Sequence, residues 1–90
     1  MKISDVIDKF QSEGVNVELE STKPYFSMIG AKDGEMFYLN DEPVKLYIFE
    51  SQQAYEKALN EFSILENMPK KDLVIIDTNS SQALDIFNSL

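Results

Sequence analysis

Two periods alternate along the chain, and the switches between them mark its elements. Ile3, Val6, Ile7 and Phe10 recur at i, i+3, i+4, i+7, with Asp5, Asp8, Lys9 and Ser12 on the opposite side. That spacing predicts an amphipathic helix over 3–13, ended by Gly14. From Val15 the period falls to two: Val15, Val17 and Leu19 alternate with Asn16, Glu18 and Glu20. This predicts a strand near a sheet edge, one face buried and the other acidic and wet. After a turn at Ser21-Thr22-Lys23-Pro24, the runs Phe26 to Ala31 and Glu35 to Leu39 flank Lys32-Asp33-Gly34, whose Asp-Gly pair is a hairpin signal. Asn40-Asp41-Glu42-Pro43 reads as the next turn. Val44 to Phe49 reads as a fourth strand, with Val44, Leu46 and Ile48 on one face and Lys45, Tyr47 and Phe49 on the other.

The second half is predominantly helical. Ser51 can cap a helix in which Ala54, Tyr55, Ala58, Leu59, Phe62 and Leu65 form an apolar stripe, running to about Asn67, where Met68-Pro69 stops it. Leu73-Val74-Ile75-Ile76 is a continuous apolar run, the signature of a strand buried on both faces. Asp77-Thr78-Asn79 then turns the chain, Ser80 or Ser81 caps, and Ala83, Leu84, Ile86, Phe87 and Leu90 give a last short helix. The expected order is α-β-β-β-β-α-β-α. This is an α+β fold, a mostly antiparallel sheet of four to five strands packed by helices, in one domain over 1–90. The direction of the last strand is left open.

Composition narrows the chemistry. The 90 residues include no His, Cys, Trp or Arg. Cysteine and zinc chemistry and the Ser-His-Asp triad are thereby excluded, leaving carboxylates, Lys, Tyr, Ser and Thr as the only catalytic material. Eight Lys stand against sixteen Asp and Glu, a formal charge of −8. This field repels polyanions and attracts basic partners, and without Arg the planar fork that reads phosphate and guanine is missing. The composition argues against an enzyme, against direct nucleic-acid binding and against membrane insertion. No run approaches a membrane span, and Met1-Lys2-Ile3-Ser4-Asp5 lacks a signal-peptide pattern, so the chain reads as cytoplasmic, or as exported if an N-terminal signal has been removed.

Each acidic pair has a structural explanation. Asp5 and Asp8 sit near a helix start, where negative charge suits the dipole. Glu18 and Glu20 project from one strand face about 7 Å apart, with no third ligand in sequence to complete a cation site. Asp33 and Glu35 lie at the opposite end of a strand from Asp41 and Glu42, which argues against a carboxylate dyad. Asp77 follows a buried run, as catalytic acids in α/β enzymes do, but Asp77-Thr78-Asn79-Ser80 is also the cap of the last helix. No metal and no cofactor are expected. The aromatics are the remaining surplus. Phe37, Tyr47 and Phe49, with Leu39, form an exposed apolar patch if the helices cover only one sheet face, and are buried if the helices divide between both.

Ile29-Gly30-Ala31-Lys32-Asp33-Gly34, then Met36-Phe37-Tyr38 and Val44-Lys45-Leu46-Tyr47-Ile48-Phe49, resemble a group of small uncharacterised α+β proteins of Firmicutes, some exported or lipid-anchored. The resemblance covers about residues 24–60 and implies no activity. The sequence as a whole leads to a non-enzymatic protein-binding module with a protein partner, basic or a second copy. The expected surface is Phe37, Leu39, Tyr47 and Phe49 on the sheet, with Glu18 and Glu20 on the acidic strand. The alternative is an acidic inhibitor that mimics nucleic acid and blocks a basic nuclease, as phage anti-defence proteins do.

Overall fold

The computed structural model describes residues 1–90. The first helix, α1 (Ile3–Ser12), forms where the apolar stripe predicts it: Ile3, Val6 and Phe10 are buried. The Asp5 carboxylate accepts from the Lys2 N–H at 2.7 Å, so the acid at the helix start also caps it. Gly14 follows at φ +87°, a left-handed conformation that glycine adopts without a Cβ penalty.

The next two predicted strands are not strands. Residues 15–20 are extended but unpaired with the sheet except for one bond, Glu20 N–H to Met36 C=O at 2.8 Å. Their alternation holds in part: Val15 and Val17 pack against the core and Glu18 and Glu20 remain exposed, but Leu19, expected on the buried face, is 46% exposed. Phe26–Ile29 is a turn of 3-10 helix, closed by Gly30 at φ +77°. Phe26 and Ile29 pack inward while Tyr25 and Met28 face solvent, a period of three that the two-residue reading of this stretch missed.

The hairpin is displaced by one turn from its predicted position. Strand β1 (Asp33–Leu39) pairs antiparallel with β2 (Glu42–Ile48), Leu39 opposite Glu42. The connection is Asn40-Asp41, both at positive φ (51° and 68°), as a two-residue type I′ turn requires. Asp33-Gly34 instead begins β1. Gly34 N–H donates to its neighbour's Asp33 Oδ1 at 2.8 Å, and a Cβ on Gly34 would stand 3.1 Å from both Phe26 Cβ and Pro24 Cγ. Glycine is needed there for close approach, not for turning the chain.

Helix α2 (Gln52–Glu61) is capped by Ser51, whose hydroxyl accepts from Ala54 N–H at 3.0 Å. It stops short of the predicted Asn67 because Phe62 is extended (φ −129°, ψ 88°), after which Ser63–Asn67 winds as 3-10 helix. The break sinks Leu65 beside Ala58 and leaves Phe62 and Ile64 outside. The chain then makes a strand the sequence did not announce, β3 (Lys70–Lys71), and turns into β4 (Val74–Thr78). Ser80 caps α3 (Ser81–Asn88) through Ala83 N–H at 3.1 Å.

The four strands lie in the order β1-β2-β4-β3, every neighbouring pair antiparallel. The fold is α+β, and β4 is interior, as its unbroken apolar run requires. Val74 and Ile76 enter a core with α1 and α3, where Phe10 meets Phe37 edge-on at 5.2 Å. Ile75 enters a second core on the other face, with Tyr47, Phe49, Ala58 and Leu65 beneath α2. The helices thus divide between the two faces.

The relocated turn is checkable by urea unfolding. Gly34→Ala is expected to lower stability by about 1–3 kcal/mol through overpacking, whereas Asp41→Gly leaves it unchanged or raises it by up to about 1 kcal/mol by relieving the left-handed conformation. The reverse order would return the turn to Asp33-Gly34.

Candidate interaction surface

Four of the six residues expected on a surface are inside. Phe37 is 0% exposed, Phe49 1%, Leu39 6% and Tyr47 7%, so the apolar patch built from them is corrected to core. They also occupy different faces: Phe37 and Leu39 belong to the core under α1 and α3, Tyr47 and Phe49 to the core under α2. In a hairpin closed by Leu39 opposite Glu42, odd positions of β1 face even positions of β2, so Phe37 sits across from Val44 and Gly34 across from Tyr47. Glu18 and Glu20 are exposed, as expected.

What the sheet does leave open lies beside Tyr47. Alternation along β1 and β2 puts Met36, Tyr38, Pro43 and Lys45 on the α2 face, but α2 and its 3-10 extension pack over Phe49, Ile75 and Tyr47, at the other end of that face. Met36 and Lys45 are partly exposed and Tyr38 is 48% exposed. A cleft of about 350 Å³ opens here, floored by Met36, Lys45 and Tyr47 and walled by residues 20–25. On that wall Tyr25, at 81% exposure, is the most exposed large apolar side chain in the molecule.

The wall is tied to β1 by charge. Lys23 Nζ lies 2.8 Å from Asp33 Oδ1 and 3.1 Å from Glu35 Oε1, and its hydrogen bond holds the Asp33 carboxyl below its ordinary value. On the floor, burial first and the charge of Asp77 second push the Tyr47 hydroxyl above its ordinary value. No buried side-chain polar atom lacks a partner, so this hydroxyl, which bonds no protein group, keeps contact with solvent, and Tyr47 lines the cleft. Asp77 stands opposite Lys45 in the ladder, and the cap of α3 that follows it is made by Thr78 and Ser80.

The carboxylates are spread over α1, the extended segment, β1, its turn, α2 and α3, and no three of them meet in an arrangement able to hold a metal ion. No helix is long and apolar enough to cross a membrane. Comparison with known proteins adds no relative: no family model, curated protein or solved structure matches the chain. Sequence reasoning missed Met36, Tyr38 and Lys45 as a surface. The signal was present in Asn40-Asp41, because a two-residue turn there fixes the register and hence the face of every residue in both strands.

The Tyr47 environment carries a pH signature. A tyrosine whose pKa is raised on folding binds its proton more tightly in the native state, so its contribution is complete below the unfolded value near 10 and is lost as pH rises above it. An absorbance titration of the chain is expected to show a late-ionising tyrosine component from Tyr47. Tyr47→Phe should remove that late component and Asp77→Asn should move it to lower pH. A late component that survives in Tyr47→Phe would contradict the assignment.

Proposed function

We propose that this chain is a non-enzymatic protein-binding module whose contact surface is the uncovered part of the sheet, centred on Met36, Tyr38 and Lys45 and bordered by Tyr25. The observation that carries this reading is the incomplete cover of the α2 face. Exposed Tyr25 walls a cleft there and exposed Tyr38 lies two residues along β1 from its floor residue Met36, and Tyr is the kind of rigid amphipathic side chain that anchors interfaces. The missing His, Cys and Arg count against chemistry in the same cleft, since its polar groups are lysines, hydroxyls and one carboxylate.

Charge selects the partner's character. At −8, the chain favours a basic surface over a second copy of itself. The dispersal of the acids over α1, residues 18–20, both strands of the hairpin, α2, β4 and α3 gives less support to a nucleic-acid mimic, which needs them in a continuous stripe, than to a solubilising field with local complementarity.

Affinity capture with the wild-type chain beside a Tyr25→Ala, Tyr38→Lys double variant tests the reading, provided each captured protein is purified and titrated into the isotope-labelled chain. The expected result is loss of binding in the double variant and NMR shifts concentrated on Met36, Tyr38 and Lys45. Undiminished binding by the variant, or shifts centred on α1 and α3, would overturn it.

A further inference from the structure

The outer edge of β1 is an unfinished ladder. In an antiparallel hairpin, alternate residues turn their N–H and C=O groups toward the partner strand and away from it. With Leu39 opposite Glu42 closing a two-residue turn, Gly34, Met36 and Tyr38 point outward, away from β2. Pro43, opposite Tyr38, agrees with this, having no N–H to give. Of the outward groups, Gly34 N–H is satisfied by Asp33 Oδ1 and Met36 C=O by Glu20 N–H, each at 2.8 Å. Met36 N–H and both main-chain groups of Tyr38 bond no other protein group.

The chain carries a segment suited to fill that edge, and places it elsewhere. Residues 15–20 run antiparallel to β1, with Val15 near Tyr38 to Asn40 and Glu20 at Met36. But Val15 and Val17 dock into the core under α1 and α3, which draws the segment to that side of the sheet. A cavity of about 230 Å³ lies between Gly14–Asn16, Tyr38–Asn40 and Gln82, and no main-chain bond joins residues 14–16 to 38–40. The two edges of the sheet are also treated differently. The β3 edge is two residues long and both are lysines, the usual protection against unwanted pairing. The β1 edge has neither lysine nor proline of its own; residues 20–26 lie along its first half, with Lys23 on Asp33 and Glu35, Pro24 and Phe26 against Gly34 and Glu20 bonded to Met36, which leaves the stretch at Met36 N–H and Tyr38 open.

We propose that the β1 edge binds an extended, lysine-bearing segment of a partner protein by main-chain pairing at Met36 and Tyr38. This rests on the protein-binding reading above and names the partner's form. Charge decides between a partner and a second copy. Glu18, Glu20, Asp41 and Glu42 surround the edge and none is in an ion pair, so a second copy brings like charge to like charge, whereas lysines bring compensation. Alternation decides the pattern. On a strand laid beside β1, every second side chain falls over Met36 and Tyr38 and suits an apolar residue, and the others turn toward the acids.

The probe is a capped seven-residue peptide alternating Lys and Val, and the readout is amide hydrogen exchange of Met36 and Tyr38 in the intact chain. Saturating peptide is expected to slow both amides at least tenfold. The same peptide N-methylated at every second residue, or with Glu replacing Lys, leaves them unchanged. The exposed double variant Glu18→Lys, Glu20→Lys weakens binding at least fivefold, its fold checked by the unchanged exchange of β4. Peptide binding without slowing at Met36 and Tyr38, no binding at all, or slowing produced by concentrated protein alone would overturn the proposal. If a captured partner still shifts Tyr25 and Lys45 while the edge amides exchange as before, the edge proposal falls and the sheet-face reading stands.

Discussion

The burial of β4 on both faces is the constraint from which the rest of the architecture follows. Val74 and Ile76 on one side and Ile75 on the other are fully buried, so the strand must be interior and helical cover must be found for two faces. A chain of 90 residues with three helices has little to divide. It spends α1 and α3 on one face, and α2 with two 3-10 turns on the other. The first pair covers its face out to Phe37 and Leu39 on β1. The second set reaches Tyr47 and ends there, and the region of the sheet around Met36, Tyr38 and Lys45 is what remains.

The same allocation explains the extended segment. Once α1 lies on the α3 side, Val15 and Val17 are close to apolar surface that needs closing, and their partial burial there recovers a share of the roughly 1.5–3 kcal/mol that full burial of such a side chain supplies, set against a net gain of about 1 kcal/mol from each ladder bond. The segment therefore serves the core and leaves the β1 edge incomplete. Edge and open face meet at Tyr38, which contributes its side chain to one and its main chain to the other.

Much of this was legible in the sequence. The three helices, the capping serines Ser51 and Ser80, the two-sided burial of Val74-Ile75-Ile76 and the α+β class follow from period and cap chemistry, which are local, while Leu73 of the same run falls half-buried in the turn before β4. What sequence reasoning got wrong was mostly relational. Val15, Val17 and Leu19 announce a side to bury, and alternation alone does not say whether a neighbour supplies hydrogen bonds. Asp33-Gly34 carries the composition of a turn, yet its glycine is there because Phe26, Pro24 and Tyr47 crowd it, a contact between segments distant in sequence. Phe37 and Tyr47 share numerical parity, but a register decides which of them share a face. Gly30 likewise closes a 3-10 turn, and Gly34 permits close packing.

Strand β4 is enclosed on both faces at Val74, Ile75 and Ile76, while the outer edge of β1 is open at Met36 and Tyr38. Native-state hydrogen exchange of the free chain, read residue by residue in low denaturant, tests this contrast directly. The amides of Tyr47, Ile75 and Ile76 are expected to open only with global unfolding and to share the largest protection, while Met36 and Tyr38 exchange close to the rate of an unstructured chain. Protection at Met36 and Tyr38 equal to that of Ile75 would show the edge to be closed and would contradict it.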